Sequence, residues 1–372
     1  MMNGLTKNIP LLTPEELDTN EKGKTELINA IKNNETILFV GAGLSQPICP
    51  SWQGLISKLE DLAKRIDPSF KPNENLRKKS LLQYVDSIKQ FIKDKEGDLN
   101  KYYNELRRIF KKEDCEDKHR KLFKIPFLGF ITTNYDLILE KALRESDQNN
   151  ISMKYWFTLA KDSGPPDVSD FFLSLNNSLS MEKKIAHIHG VYDDPSNIIL
   201  SLEDYLINYG YDANGVPKIA PTLHYKFLWS LLATRRVIFI GFSMNDDYIN
   251  LMLKIVCKDL WRWNSKSHFL ITDINNENKT SQYQNAQRFS EEFAITTIFY
   301  ENDNGTHKGL EDYIDEIIDS VKIVETEIKI SKGNEKVKTS SFGSTKETLD
   351  DIRKWTKETN IKMIKKSREY EA

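Results

Sequence analysis

Four short polar clusters in the sequence have the composition of a ligand site, and each follows an apolar run. The first is GAGLS (41–45), which comes directly after ILFV. The others are TTNYD (132–136), HIHG (187–190) and GFS (241–243). Glycines let a backbone approach a phosphate closely, and a histidine can move a proton near neutral pH. Together with the amide and carboxylate of TTNYD, this pattern indicates a site built from four loops.

The glycine cluster lacks the two common phosphate-binding fingerprints. Position 46, where the third glycine of G-x-G-x-x-G would stand, is Gln46. The sequence also has no G-x-x-x-x-G-K-[ST] motif, which excludes a P-loop ATPase. Taken alone, GAGLS is as typical of an ordinary strand-to-helix turn as of a phosphate site, so its meaning depends on the other three clusters.

Several of these polar residues also have a structural interpretation. Asn134 and Asp136 could cap the helix that begins in YDLILE, and a cap could coexist with a ligand role. His187 alternates with His189 along a strand, so the two should face opposite sides of the sheet, and we expect His187 to be packed or hydrogen-bonded. Three further residues are expected to start a helix: Asn245, Asp246 and Asp247.

Composition narrows the class of protein. The chain has 372 residues, of which 39% are hydrophobic and 29% charged, and its net charge of −2 argues against a protein that coats nucleic acid by charge alone. The three cysteines lie far apart and form no CxxC pair, so no disulfide framework or cysteine-rich zinc site is expected. No apolar run approaches the ~20 residues that span a bilayer, and a cytoplasmic protein without membrane association is expected. Four histidines show no metal-ligand spacing, and no metal is predicted: His119, His224, His268 and His307.

Short apolar runs alternate with helical patterns along most of the chain. Strands are predicted at 36–41, 127–133, 184–190, 197–200, 235–243, 267–273 and 294–300. Helices are predicted from TPEE, near 23–33 and after Ser51, which can cap the segment WQGLISKLEDLAKRI. The alternation favours an α/β fold with a Rossmann-like, doubly wound, mainly parallel sheet. Ligands bind beyond the carboxyl ends of such strands, where all four polar clusters would meet.

The domain organisation is predicted from the breaks in this alternation. A helix-rich stretch at about 56–124 is expected to form a helical insertion or cap lobe within one domain of residues 1–330. The polar segment 331–346, rich in glycine, serine and lysine, is typical of a linker. Residues 347–372 are predicted as a C-terminal helix with an apolar stripe, which could pack on its own domain or dock on a partner.

The order of the four clusters resembles that of the sirtuin superfamily, in particular the sirtuin-like NAD-consuming domains of bacterial antiphage defence. GAG-x-S, T-x-N-x-D, H-G and G-x-S follow strands in this order, and the resemblance runs over roughly residues 30–300. It implies that His189 is the general base near the ribose hydroxyls. It further implies that Asn134 contacts the nicotinamide ribose or holds a water, and that Asp136 grips the nicotinamide carboxamide.

The resemblance also implies that NAD is the substrate, and it assigns a binding site for it. The residues expected to cradle the pyrophosphate are Gly41, Ala42, Gly43 and Ser45. Gly241 and Ser243 would meet the phosphate and adenosine side. Asp273 and Asn275 would lie near the adenosine ribose.

Two departures from the deacylase pattern favour a hydrolase without a zinc module. Residues 191–234 contain no cysteine, where the deacylases carry a four-cysteine zinc module, and PSW (50–52) replaces the usual Phe-Arg pair. We therefore expect an NAD glycohydrolase that yields nicotinamide and ADP-ribose as a defence effector. An NAD-dependent protein deacylase, an inactive NAD-sensing or assembly module, and a nuclease role in a DNA-translocase complex remain open.

Partners are also implied by the resemblance. No separate recognition domain is evident beside the sirtuin-like region, so sensing is expected to lie in another polypeptide. We expect a homo-oligomer that docks on a HerA-type hexameric ATPase, with a short Argonaute as the alternative partner. No direct binding of nucleic acid is strongly indicated.

Overall fold

Seven strands form a single parallel sheet in the computed structural model. The structure describes residues 11–146, 156–159, 165–175, 184–210, 222–260, 268–302 and 307–335. The chain divides into two units, residues 1–321 and residues 322–372, and the first unit contains the whole sheet.

The strands run in the order β3-β4-β2-β1-β5-β6-β7, and every neighbouring pair is parallel. Their bounds are β1 (Thr36–Val40), β2 (Phe130–Thr132), β3 (Trp156–Thr158), β4 (Ile185–His187), β5 (Arg236–Ile240), β6 (His268–Ile274) and β7 (Ile295–Glu301). The order reverses at β1, which is the first strand and lies in the middle. A doubly wound, Rossmann-like sheet is therefore confirmed.

Thirteen α-helices are described along the same residues. They are α1 (Pro14–Lys32), α2 (Trp52–Ile66), α3 (Glu74–Lys79), α4 (Leu81–Glu96), α5 (Asn100–Phe110), α6 (Asp117–Leu122), α7 (Ile138–Ser146), α8 (Pro165–Ser174), α9 (Leu202–Tyr209), α10 (Leu223–Thr234), α11 (Asp247–Asp259), α12 (Lys279–Phe293) and α13 (Lys308–Glu335). The cap residues predicted from the sequence cap α1 and α2 in the structure. Thr13 and Glu16 form a capping box on α1, and Ser51 caps α2. The two helices predicted before β1 are one continuous helix.

The sheet is covered on both faces, which explains why most residues of its central strands are apolar. In β1 the side chains of Ile37 and Phe39 join the core formed with α9, α10 and α11. Leu38 and Val40 point the other way, into the core formed with α1, α7 and α13. This alternation places consecutive residues on opposite faces, as expected for a buried parallel strand.

Helices α2 to α5 form a lobe within the stretch where a helical insertion is predicted. It has its own apolar core, to which Leu59, Tyr84, Ile88 and Leu106 contribute. Tyr135, from the loop after β2, is buried in the same core. The lobe is therefore packed directly onto the loops at the carboxyl edge of the sheet.

Three details of the sequence prediction are wrong. Residues 197–200 are not a strand: a 3-10 turn (Pro195–Asn197) leads into a buried loop segment in which the N–H of Ile199 donates to the carbonyl of His189. The short strand β3 was not predicted. Helix α13 continues to Glu335, so the first five residues of the proposed linker are helical, and the predicted C-terminal helix lies outside the described residues.

Candidate functional site

All four polar clusters meet at one edge of the sheet, as predicted. They follow β1, β2, β4 and β5, which are consecutive neighbours in the order β4-β2-β1-β5. Because these strands are parallel, their carboxyl ends lie side by side. The loops that follow them are joined by the hydrogen bonds described below.

The glycine loop after β1 is packed against the loop after β5. The N–H of Gly43 donates to the carbonyl of Gly241 at 2.8 Å. A Cβ on Gly41 would lie 2.4 Å from the Gly241 carbonyl oxygen, and a Cβ on Gly43 would lie 3.0 Å from it. Gly241 itself has a φ of +64°, and a Cβ there would lie 2.4 Å from the amide nitrogen of Leu44. The glycines are thus required for contact between the two loops. The sequence analysis explained them only by the close approach of a phosphate.

Ser45 and Asn134 join the loop after β1 to the loop after β2. The Nδ2 group of Asn134 donates to Ser45 Oγ at 2.9 Å and to the carbonyl of Gly41 at 3.2 Å. Thr132 supports the same turn, since its Oγ1 donates to the carbonyl of Val40 and accepts from the N–H of Asn134. Ser45 is buried, so its hydroxyl is directed into the protein rather than toward an exposed pyrophosphate position.

The other side-chain atom of Asn134 is an unused acceptor. Asn134 is 7% exposed, and within the described part of the chain its Oδ1 is a buried oxygen with no hydrogen-bond partner. Both bonds of Nδ2 go to oxygen acceptors, which fixes the orientation of the amide and therefore the position of Oδ1. A buried polar atom without a partner is costly, and one in a candidate site points to a ligand or a water that it would hold.

Asp136 lies beside this amide but is used within the protein. Its Oδ1 accepts the N–H of Ile138 at 3.1 Å, so the alternative of a helix cap at α7 is realised. Burial raises the pKa of Asp136, while the Ile138 N–H and the Ser45 hydroxyl act in the opposite direction. Burial also raises the pKa of the neighbouring Cys49 thiol, and Asp136 adds to this effect. A raised pKa favours the protonated thiol, which is a weaker nucleophile than the thiolate.

The two histidines of HIHG have separate environments, as predicted. His187 lies 2.6 Å from Glu140 Oε1 through Nε2 and 3.0 Å from the carbonyl of Asn134 through Nδ1, so the expectation of a hydrogen-bonded histidine is confirmed. His189 is 2% exposed, and its Nε2 lies 2.8 Å from the hydroxyl of Tyr209. Burial lowers the pKa of His189 to about 3, so its imidazole is neutral.

The residues after β5 and β6 are divided between helix starts and the exposed edge. Asp246 caps α11 through the N–H groups of Tyr248 and Ile249, as expected, whereas Ser243 is exposed. Asn275 Oδ1 accepts two N–H groups at the start of α12, and Asp273 accepts from Asn278 and Asn302. Asp273 and Asn275 lie at the same carboxyl edge of the sheet. Because β6 is two strands away from β1, they are displaced along this edge from the loop after β1.

Two residues that the sequence did not indicate as site residues form hydrogen bonds with the backbone of the loop after β1. His119, on α6, is buried, and its Nε2 lies 2.9 Å from the carbonyl of Leu44. Next to it, Lys118 donates to the carbonyl of Gln46 at 2.8 Å. Both bonds join the loop after β1 to residues more than seventy positions later in the sequence. A local motif cannot indicate such contacts.

One groove among the described residues lies away from the four loops. It has a volume of about 750 Å³ and is formed by α1, α12 and the edge strand β7, and none of its lining residues belongs to the four loops. Among the described residues, no group of three or more His, Cys, Asp and Glu side chains could hold a metal ion. Over the same residues, no helix is both long and apolar enough to cross a membrane.

The fold defines a parallel α/β protein, and the four loops form a candidate site at the carboxyl edge of its sheet. Residues 129–298 match the family model of the SIR2-like domain. This match begins at the residue before β2 and includes the clusters after β2, β4 and β5.

Curated relatives carry related names. The chain is 27% identical over 244 residues to "NAD(+) hydrolase ThsA" of Enterococcus faecium, covering 65% of this chain and 44% of that protein. It is 26% identical to the protein of the same name from Bacillus cereus (strain MSX-D12), with 65% and 44% covered. It is 24% identical over 311 residues to "Defense-associated sirtuin 2" of Bacillus subtilis, covering 81% of this chain and 24% of that protein. The chain thus spans less than half the length of these relatives.

Proposed function

We propose that this protein is an NAD glycohydrolase that cleaves NAD into nicotinamide and ADP-ribose. The proposal is supported by the SIR2-like domain and by relatives named NAD(+) hydrolase. It is also supported by the geometry of the carboxyl edge, where the loops that carry Gly41, Asn134 and Gly241 are bonded together. NAD is the substrate in this proposal, and no metal is involved.

The observation that carries the proposal is the free Oδ1 of Asn134. In the hydrolysis, the bond between ribose C1′ and the nicotinamide nitrogen breaks, and its electron pair neutralises the pyridinium ring. A water oxygen bonds to C1′, and the water loses one proton to a base. An amide oxygen held in a fixed orientation is suited to accept a hydrogen bond from that water or from a ribose hydroxyl, which lowers the cost of ordering it for attack.

The other groups have supporting parts in the proposed reaction. The loop after β1 presents Ala42 and Gly43, which are exposed, to the pyrophosphate. Asp136, beside Asn134, is the candidate for holding the carboxamide, and His189, whose imidazole is neutral, is the candidate base. Ser45 acts in this site as the support that orients Asn134.

Replacement of Asn134 tests the proposal against a matched control. Asn20 is also a buried asparagine whose side chain makes two hydrogen bonds, here with the backbone of Phe299 on β7. We expect Asn134→Ala to reduce nicotinamide release by at least about 100-fold, as for loss of one positioned polar group, while Asn20→Ala lowers stability but not turnover per folded molecule. Chromatography of nicotinamide and ADP-ribose measures both. Equal activity of the two variants would assign Asn134 a structural role only.

A role in antiphage defence and an assembled state are further parts of the proposal. The name of one relative, "Defense-associated sirtuin 2", supports the defence role, in which activation would deplete NAD. We also predict that the chain forms a homo-oligomer that docks on a HerA-type ATPase. A short Argonaute is the alternative partner. Mass photometry of the chain alone and with the product of a neighbouring gene tests them. A strictly monomeric chain with full activity by itself would contradict control by assembly.

A further inference from the structure

His189 is closed off by aromatic side chains. Its ring is 5.2 Å from the ring of Tyr205 and 6.1 Å from that of Tyr209, measured between centroids, and Tyr209 hydrogen-bonds its Nε2. A general base must come within hydrogen-bond distance of the proton that it takes. In the described conformation, one nitrogen of His189 is already bonded to the protein and the side chain is almost fully buried.

Tyr209 is held in this position by stacking. Its ring lies 5.6 Å from Tyr205 with an angle of 14° between the planes, and 5.4 Å from Tyr248. Tyr205 is fixed in turn, because its hydroxyl donates to Asp246 at 2.7 Å. Directly after Tyr209, Gly210 ends α9 in the left-handed conformation, with a φ of +86°. Tyr209 is thus the last residue of a short helix.

The other end of α9 is tied to the helical lobe. Asp204, in the first turn of α9, lies 3.0 Å from Lys89 on α4. The N–H of Glu203 donates to Asp86, also on α4, at 3.3 Å. A helix of eight residues is only about 12 Å long, so a displacement of α4 would move Tyr209 as well. The lobe and His189 are therefore linked through one rigid element.

We propose that Tyr209 is a latch that keeps His189 closed, and that α9 must shift with the helical lobe before His189 can act on a substrate. The proposal rests on the proposed function for its consequence in catalysis, but its structural part concerns only the access to His189. Loss of the Tyr209 hydroxyl would release Nε2 while the ring of the residue continues to stack. The latch would thereby be weakened without loss of the aromatic core.

Chemical labelling of His189 tests the latch directly. Diethyl pyrocarbonate acylates neutral, accessible imidazole nitrogens, and mass spectrometry of peptides gives the rate at each histidine. We expect Tyr209→Phe to raise the labelling rate of His189 about tenfold, because one hydrogen bond contributes roughly 1.4 kcal/mol to the closed state. Tyr205→Phe is the matched control, since it removes a hydroxyl from the same stack that bonds Asp246 and not His189. Labelling of His187, which is 1% exposed, reports unfolding in every sample.

NAD hydrolysis measured on the same samples separates the two proposals. Faster labelling of His189 together with faster nicotinamide release in Tyr209→Phe supports the latch. Faster labelling without nicotinamide release from any sample supports the latch and overturns the proposed function. An unchanged labelling rate overturns the latch, whatever the hydrolysis rate. Faster labelling with slower hydrolysis than the wild-type chain also overturns it, since the hydroxyl would then assist His189 and not block it.

Discussion

Asn134 Nδ2 lies 2.9 Å from Ser45 Oγ, so the loop after β2 and the loop after β1 hold each other in place. Both side chains are buried. The contact leaves only the Oδ1 atom of the amide for a ligand. The serine of GAGLS therefore sets the orientation of the asparagine that follows it by 89 residues.

Ser45→Ala removes this contact and should affect turnover more than substrate binding. Without the Oγ acceptor, the Asn134 amide can rotate, and misplacement of a positioned group costs up to about 100-fold in rate. We expect kcat for NAD hydrolysis to fall by about 10- to 100-fold with a smaller change in KM. Ser51→Ala is the control: it removes the cap of α2, costs about 1 kcal/mol of stability and leaves kcat unchanged. A pure rise in KM for Ser45→Ala would instead assign the hydroxyl to substrate binding.

The contact between the glycine loops predicts unequal effects of two similar substitutions. Gly241 and Gly97 both have positive φ, +64° and +81°, but a Cβ on Gly241 would lie 2.4 Å from the Leu44 nitrogen, whereas a Cβ on Gly97 would have no neighbour within 4 Å. Gly97→Ala should lower the free energy of unfolding by only about 1–2 kcal/mol, which is the cost of the left-handed conformation for a residue with a Cβ. Gly241→Ala should cost clearly more, because the loop after β1 must move. Urea unfolding of both variants measures this, and equal losses would show that the loops separate easily.

The sequence predicted the edge at which the site lies, because the position of a loop follows from a simple rule. Long apolar runs identify β1, β5, β6 and β7, and parallel strands bring their following loops to one side. Short elements are not identified by apolar runs in the same way. β3 has only three residues, and the run at 197–200 is buried without being a strand, since Ile198 and Leu200 fill the core of the helical lobe.

The contacts inside the site could not be predicted in the same way. The motif GAGLS gives no indication that Ser45 faces inward to Asn134 or that Gly41 needs space for Gly241. Likewise, HIHG contains no sign that Tyr209, twenty residues later, bonds to His189. These contacts depend on the packing of whole elements, so they are set by tertiary structure and not by local pattern.

The His187–Glu140 pair predicts a dependence of stability on pH. Burial alone would lower the pKa of His187, but the Glu140 carboxylate, the Asn134 carbonyl and Asp136 raise it above its ordinary value. A raised histidine pKa adds stability that is complete below the unfolded pKa of about 6.5 and is lost as pH rises through the folded pKa. We expect the free energy of unfolding to fall above about pH 6.5 and expect Glu140→Gln to flatten this dependence.

Other buried histidines do not interfere in that pH window. Burial lowers the pKa of His189 to about 3 and those of His224 and His268 to about 4. A lowered histidine pKa reduces stability only as pH falls below the unfolded value of about 6.5. Urea unfolding at several pH values from 6 to 9, on the wild-type chain and on Glu140→Gln, therefore isolates the pair. Parallel pH profiles for the two chains would contradict a charged His187.

His119 has a defined tautomer, which allows its two bonds to be tested separately. The N–H of Glu116 can only donate, so His119 Nδ1 accepts it at 2.9 Å. Burial lowers the pKa of His119, which favours the neutral ring, and the proton then resides on Nε2. Nε2 therefore donates to the carbonyl of Leu44. This donor gives the glycine loop a second contact, in addition to its contact with the loop after β5.

Two substitutions of His119 should therefore differ. His119→Gln can keep a donor near the Nε2 position, whereas His119→Asn keeps an acceptor for Glu116 but is too short to reach Leu44. Loss of one hydrogen bond costs about 0.5–1.5 kcal/mol, which corresponds to up to roughly tenfold faster exchange of protected amides. We expect hydrogen exchange in residues 41–49 to be faster in the Asn variant than in the Gln variant, with a matching rise in KM for NAD. Equal exchange in both variants would mean that the bond from His119 does not stabilise the loop.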